Sequence, residues 1–452
     1  MLAVTLNQLR FEYDIHSLVK AFYPAETVKV FQEGTKDLVS DGDNPEIAVI
    51  FEENRIRIQV DGSEGQTDLS RPEEKNVVKN ELKQLLYRML SAKTGKELPW
   101  GSLTGIRPAK IAMQLLEEGK TQEEIRSYME QTYYCSQEKA DLAIGIACRE
   151  KEILKDIHYE QGYSLYVGIP FCPTTCLYCS FTSFPITIWR ERVEEYLGAL
   201  EKEMDFVQEA FRDKVLDSVY IGGGTPTTLE PDQLRRLLSR LRETFDFSRV
   251  KEFTVEAGRA DSITADKLRV LKEFGVTRIS VNPQTMNQKT LDLIGRRHTV
   301  EQVKEAFALA RQEGFDNINM DLILGLPGED LPEVQHTMEE IKKLSPDSLT
   351  VHSLAVKKAS RMMQWIEKNG LGLLHNTEET IQLAARTAEK MNLHPYYLYR
   401  QKNMTGNLEN VGYAREGCYG LYNILIMEEK QSIMAIGAGT ISKAVHPDGR
   451  IE

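Results

Sequence analysis

Six cysteines among 452 residues are too few to staple a fold of this size, so a disulfide scaffold is excluded. No uninterrupted apolar run is long enough to span a bilayer. The opening residues MLAVTLNQLRFEYD bring charges early, without a basic stretch and a small-residue cleavage site. A cytoplasmic protein with no membrane partner is expected. Excess positive charge is also missing: 56 Lys and Arg face 68 Asp and Glu, for a formal net charge of −12. That balance speaks against a nucleic-acid partner and requires that any anionic substrate meet a local basic lining. What is present is 41% hydrophobic and 8% aromatic residues, enough for a full core, at a length suited to two or three domains.

Half of the cysteines stand together. Residues 166–181 read YVGIPFCPTTCLYCSF: a short apolar strand signal runs into Pro170 and a loop that carries Cys172, Cys176 and Cys179 as CxxxCxxC. Three thiols therefore face one small volume. A structural zinc site normally takes four protein ligands, and no second Cys/His pair stands nearby, so zinc is the weaker reading. Disulfides are weaker still, because three cysteines leave one unpaired. An iron–sulfur cluster held by three thiolates keeps one iron open to an outside ligand. The loop resembles that of radical S-adenosylmethionine (SAM) enzymes. That resemblance implies that SAM chelates the open iron and, on reduction, yields a 5′-deoxyadenosyl radical, with the cofactor carrying the chemistry and the protein positioning it.

Along the chain, residues 1–150 read as a separate α+β region of unknown role. Residues 48–60 alternate as two strands about a polar turn, and 76–90, 111–117 and 121–129 have helical spacing. The segment GSLTGIRPAK, 101–110, reads as a solvated loop leading into a helix, and Cys135 and Cys148 as buried thiols. From 164 the texture changes to strands at 165–169, 218–222, 252–256, 277–281, 318–324 and 348–353. Helices at 191–210, 231–244, 265–274, 300–313 and 333–344 alternate with them. The fold class is therefore α/β. Six units fall short of a closed eight-stranded barrel and fit an open (β/α)6 barrel over 151–360, followed by a C-terminal extension over 361–452.

Ligands of parallel α/β folds sit at the carboxyl ends of the strands, and every candidate falls there. Gly222-Gly223-Gly224-Thr225-Pro226 follows the second strand, Glu256 the third and Gln284 the fourth, with Arg296 twelve residues beyond. Asp321 sits inside an apolar strand, NMDLILGLPGE, where a carboxylate needs a partner. Cys418 reads as a lone thiol, and His298 and His352 as packed or polar-loop residues without a catalytic assignment.

Taken together, the cysteine loop, GGGTP, Pro283-Gln284, the GRRH at 295–298 and DLILGLPGE resemble the radical SAM family of oxygen-independent coproporphyrinogen III oxidases, and the N-terminal region resembles its HemZ-type branch. The resemblance implies a [4Fe-4S] cluster on Cys172, Cys176 and Cys179, one or two SAM molecules, and an electron donor such as flavodoxin or ferredoxin, in a monomer. It implies SAM contacts at Tyr166, Tyr178, Gly223, Gly224, Thr225, Glu256, Gln284, Arg296, Asp321 and Ala355. The implied reaction is oxidative decarboxylation of two propionates of coproporphyrinogen III to give protoporphyrinogen IX, with no catalytic side chain beyond the cluster and SAM. Arg259, Arg400 and Lys402 are candidate partners for those propionates. Three departures stand out: Gly168 replaces a frequent His, Phe181 replaces a further Cys, and EAGR follows the third strand. Phe181 resembles the heme-chaperone branch, so heme binding or delivery is the alternative.

Overall fold

The computed structural model describes residues 1–24, 26–34, 46–105, 107–357, 359–370, 372–401 and 408–452. The chain divides into two units, Met1–Cys148 and Arg149–Glu452.

In the first unit, β1 (Leu2–Leu6), α1 (Glu12–Phe22) and β2 (Val28–Gln32) form a crossover, and β3 (Ile47–Phe51), β4 (Arg55–Val60) and β5 (Ser63–Asp68) form a meander. The strands make one sheet in the order β2-β1-β3-β4-β5, with β1 parallel to both β2 and β3. Leu2, Val4 and Leu6 alternate with half-buried residues, so one face of the sheet is apolar, and it is covered by α1 and by α2 (Lys75–Thr94). Next come α3 (Pro108–Glu117) and α4 (Gln122–Tyr133), the latter started by a Thr121/Glu124 capping box. α5 (Gln137–Ile153) runs across the division between the units. The segment at 101–110 does lead into a helix, but its start is not solvated. Ser102 and Leu103 are buried beside Trp100, and Lys83 Nζ donates to Thr104 Oγ1 at 2.8 Å. Cys135 is buried, whereas Cys148 is half-buried.

The second unit is built on nine strands in the order β14-β15-β13-β12-β11-β10-β9-β6-β16. In chain order its elements are β6 (Gly162–Ile169), β7 (Phe171–Cys172), β8 (Phe184–Pro185), α6 (Ile186–Trp189), α7 (Val193–Ala210), β9 (Val215–Gly223), α8 (Pro231–Thr244), β10 (Glu252–Gly258), α9 (Ala265–Glu273) and β11 (Arg278–Val281). They continue with α10 (Gln288–Leu293), α11 (Val300–Gln312), β12 (Ile318–Leu324), α12 (Leu331–Leu344), β13 (Ser348–Ser353), α13 (Met362–Asn369), α14 (Glu378–Lys390), β14 (His394–Tyr399), β15 (Asn410–Ala414), α15 (Leu421–Glu428) and β16 (Ser432–Ile436). The six strands read from the sequence are present and mutually parallel, and their near-continuous burial is that of a sheet covered on both faces. The stretch after 360 joins the same sheet: β16 extends it in parallel beyond β6, and β15 and β14 extend it antiparallel beyond β13.

Helix α15 fixes the shape. Its Tyr422 ring stacks on Tyr220 of β9 at 4.5 Å, while Leu421, Ile424 and Leu425 pack with Tyr396 and Tyr397 of β14. In a flat sheet β9 and β14 lie six strand spacings apart, roughly 29 Å at about 4.8 Å each. A helix only about 10–12 Å wide reaches both only if the sheet curls around it. The sheet is therefore an open barrel with α15 as its plug, and its two edge strands are not joined.

The plug is fastened by a buried carboxylate. Glu252 on β10 accepts from the backbone N–H groups of Leu421 at 2.6 Å and Tyr422 at 3.2 Å, capping α15 at its positive end. Glu252→Ala removes the cap and leaves the fully buried Arg278 with less opposing charge. A loss of about 3 kcal/mol in urea unfolding is expected.

Candidate functional site

The barrel interior is polar by register. Tyr166, Tyr220 and Thr254 occupy paired positions on β6, β9 and β10, as do Asp321 and Thr350 on β12 and β13. Tyr166, Tyr220 and Tyr422 form a mutually stacked trio with interplanar angles of 13° to 26°. At the carboxyl ends of the strands lies an open cavity of about 720 Å³, mouth included.

Its wall brings together most of the residues singled out from the sequence. Cys172, Cys176, Cys179, Tyr178, Gly223, Gly224, Thr225, Glu256, Arg259, Gln284, Arg296 and Asp321 all line it. Tyr166 is absent from that lining and lies in the tyrosine trio. Ala355, just beyond β13, is absent from it too. Arg400 follows β14, is 4% exposed and is also absent. Lys402 lies outside the described residues.

The cysteine loop has little secondary structure, and its shape is set by anchors. The two-residue pair β7–β8 closes its base, with Phe184 N–H donating to Pro170 O at 2.7 Å. From the turn after α10, Gly295 O accepts from Thr174 Oγ1 at 2.9 Å and Ile294 O from Leu177 N–H at 2.9 Å. Arg361 donates to Thr175 O, and Arg296 to Tyr178 Oη and Asn282 O. Arg259, only 3% exposed, donates to Thr174 Oγ1 at 2.7 Å while its other edge grips Asp261 at 2.7 and 3.0 Å. This candidate substrate cation thus ties the cysteine loop to the end of β10.

On the opposite side Gly224 approaches the loop so closely that a Cβ there would lie 2.6 Å from Phe171 O and 3.0 Å from Cys172 Sγ. Only glycine fits. Thr225 Oγ1 stands 3.6 Å from the same sulfur. Burial pushes the Cys172 thiol up to about 11 and raises Cys179 as well. Among the described residues no group of three or more His, Cys, Asp or Glu could hold a metal ion.

Gln284 carries a signal that spacing could not give. It adopts φ 69°, a left-handed conformation unfavourable for a side-chain-bearing residue, and is held there by Gln284 N–H to Asp321 O at 3.0 Å and Ile323 N–H to Gln284 O at 2.9 Å. Its Oε1, Asn282 Oδ1 and Arg296 Nε are buried in the cavity wall without a hydrogen-bond partner. Two acceptors and one donor therefore await a polar ligand.

Two carboxylates complete the wall. Glu256 accepts from Tyr220 Oη at 2.6 Å, and burial pushes its pKa up to about 7. Asp321 accepts from Asn319 Nδ2 at 2.7 Å and lies 3.9 Å from His352 Nε2. Burial raises Asp321, but His352, Asn319 and Thr350 together outweigh it and hold the carboxyl below its ordinary range. The sequence reading did not single out Tyr220 and took His352 as a packed or polar-loop residue; both come from inward positions of their strands.

The geometry is that of a radical SAM core, and the comparisons agree. The sequence model of the Radical SAM superfamily matches residues 166–341. A Bacillus subtilis protein named oxygen-independent coproporphyrinogen-III oxidase-like protein HemZ is 41% identical over 385 residues, 84% of this chain and 77% of the relative. The heme chaperone HemW of the same organism is 34% identical over 277 residues, 61% of this chain and 69% of the relative. Among solved structures, coproporphyrinogen III oxidase HemN from Escherichia coli matches with a TM-score of 0.52 at 24% identity, over 64% of this chain and 66% of that one. The chain belongs to the oxygen-independent coproporphyrinogen-III oxidase-like family of radical SAM proteins.

Membership implies a [4Fe-4S] cluster and SAM, and the site fits both: three thiols on one wall, a glycine cradle, and unpartnered buried acceptors and a donor beside them. The raised carboxyl of Glu256 has a consequence for stability. Its folded-state pKa near 7 lies above the ordinary 4.5, so the folded protein holds a proton that the unfolded chain has released. Stability therefore falls as pH rises from 4.5 to about 7 and stays lower above that. Glu256→Gln removes this slope and raises stability at pH 8 by on the order of 2–3 kcal/mol in urea titrations.

Proposed function

We propose that the protein catalyses the oxygen-independent oxidative decarboxylation of coproporphyrinogen III to protoporphyrinogen IX. The observation that carries the reading is the convergence of the three-cysteine loop and the strand-end polar residues on one cavity, in a chain 41% identical over most of its length to a coproporphyrinogen oxidase-like protein. Cys172, Cys176 and Cys179 hold the cluster. Gly223, Gly224 and Thr225 offer backbone to SAM, with Glu256, Gln284, Arg296 and Asp321 as its polar contacts and Tyr178 beside the last cysteine. Tyr166 and Ala355 support that set from outside the cavity wall. Once bound and reduced by a donor such as flavodoxin or ferredoxin, the cluster and SAM supply a 5′-deoxyadenosyl radical able to take a hydrogen atom from a propionate. The protein's own task is to hold substrate and SAM in register and to keep the cavity walls fixed.

A second reading, heme binding or delivery, is favoured by Gly168 and Phe181. A Cβ at Gly168 would lie 2.4 Å from Thr440 Cγ2, so the glycine-rich segment near the end of the chain fills the space that a histidine side chain would need. Phe181 is 75% exposed beside the cluster cysteines, an apolar side chain where the oxidases carry a further Cys.

Anaerobic turnover separates the two. With reconstituted cluster, reductant, SAM and coproporphyrinogen III, the first reading predicts 5′-deoxyadenosine and protoporphyrinogen formed in proportion, and loss of both in Cys176→Ala. Deoxyadenosine without decarboxylated product, together with stoichiometric heme binding in a Soret titration, gives the second.

A further inference from the structure

The radical chemistry of this class begins with one electron from an outside donor, delivered while SAM occupies the cavity. The donor must therefore reach the cysteines from the other side of their loop. Leu177 marks that side. It stands between Cys176 and Tyr178, is absent from the cavity lining, and packs against Leu291 of α10, Ile294 and Met362 of α13. Its N–H donates to Ile294 O at 2.9 Å, so a single hydrogen bond joins the backbone next to Cys176 to the turn after α10. One layer of short helix, about 10–12 Å thick with its side chains, separates the cysteine loop from solvent here.

The outer surface of that layer carries a charge opposite to that of the whole chain. In segments 288–297 and 356–369 the described residues expose five cations, Lys289, Arg297, Lys357, Arg361 and Lys368, against two acids, Asp292 and Glu367, on a protein of net charge −12. No acidic side chain among the described residues pairs with Arg297, Lys357 or Arg361. Arg361 donates to Thr175 O, which ties this surface to the cysteine loop. A Cβ at Gly295 would lie 4.0 Å from Arg361 Nη2, so the turn that bears Arg297 abuts the start of α13. Lys357 O accepts from Ser360 N–H at 3.0 Å and Ser360 Oγ at 2.7 Å, in the turn that leads into the same helix. Leu293, 45% exposed, and Met363, 38%, put apolar surface among the cations. Apolar surface rimmed by cations without partners is complementary to an acidic protein. We propose that this face docks a small acidic one-electron carrier protein, whose electron passes through the turn after α10 to the cluster. The donor loses one electron, the cluster gains it, and no group is transferred. The inference rests on Cys172, Cys176 and Cys179 holding a cluster and is independent of the substrate.

The test compares two reductants of the reconstituted protein with SAM bound, followed by cluster absorbance in stopped flow. One is reduced flavodoxin, an acidic carrier protein; the other is photoreduced deazariboflavin, a small molecule with no acidic surface. Arg297→Glu and Lys357→Glu are each expected to slow reduction by flavodoxin about tenfold or more, and high salt to slow it in the unaltered protein, as for charge-steered association. Arg297→Lys keeps the charge and is expected to keep the rate. Lys342→Glu makes the same change of charge in the last turn of α12, where the chain enters β13 at the opposite end of the strands, and is expected to leave the rate within about twofold. Reduction by deazariboflavin is expected to be the same in every variant. Oxidised flavodoxin, which transfers no electron, should bind the Arg297→Glu and Lys357→Glu proteins about tenfold more weakly in calorimetric titration. Arg297→Glu and Lys357→Glu proteins reduced by flavodoxin as fast as the unaltered one, a loss as large in Lys342→Glu, or an equal loss with deazariboflavin would each overturn the docking face. Unaltered protein that deazariboflavin reduces but flavodoxin neither binds nor reduces would overturn the acidic partner. Failure of the three cysteines to hold a reducible cluster would instead overturn the cluster assignment and the inference with it.

Discussion

A loop with almost no ladder of its own cannot hold three thiols in a fixed arrangement, so the site depends on the hydrogen bonds that reach the cysteine loop from the sheet. Arg259 is the clearest case. Buried and bidentate on Asp261, it turns a third donor to Thr174, so that loop and β10 move as one body. The turn after α10 does the same for Thr174 and Leu177 from the other side, and Gly224 brings a third backbone segment against Cys172. Such anchoring is what preorganisation means for a cofactor site: the entropy of ordering the loop is lost on folding and not again at binding.

The same economy of cations shapes the rest of the cavity. With Arg259 turned to structural acceptors and Arg296 leaving only its Nε without a partner, the walls that face a ligand are two carboxylates, Tyr178, the three thiols, backbone and the unpartnered amide oxygens of Asn282 and Gln284. That surface suits an ammonium-bearing, hydroxyl-rich cofactor better than a polyanion. Helix α15 holds the tyrosine trio of β6 and β9 on one side through Tyr422 and packs on Tyr396 and Tyr397 of β14 on the other.

Much of this was legible in the chain. The six parallel strands announced themselves as short apolar runs separated by helical periodicity, and the cysteine spacing and GGGTP gave the cofactor side of the site. What was not legible depends on contacts between residues distant in sequence. Gly168 shows in the sequence as a departure, but its cause is the methyl of Thr440, brought alongside by β16 pairing with β6. Spacing placed Arg259 near the site without revealing that Asp261 and Thr174 occupy it. His352 read as an unremarkable strand histidine, because its partners come from β12 and β14. The left-handed backbone of Gln284 follows from hydrogen bonds to β12 and has no signature in residue type. Helix α15 carries apolar residues on all sides, which fits an enclosed plug but cannot identify one.

The central claim is that Cys172, Cys176 and Cys179 hold a cluster with one iron left for SAM. Electron paramagnetic resonance of the reconstituted, reduced protein tests it most directly. The expected result is the signal of a reduced [4Fe-4S] cluster that changes on addition of SAM and is absent when any one of the three cysteines is replaced. A cluster spectrum indifferent to SAM, or one that survives loss of a cysteine unchanged, would contradict it.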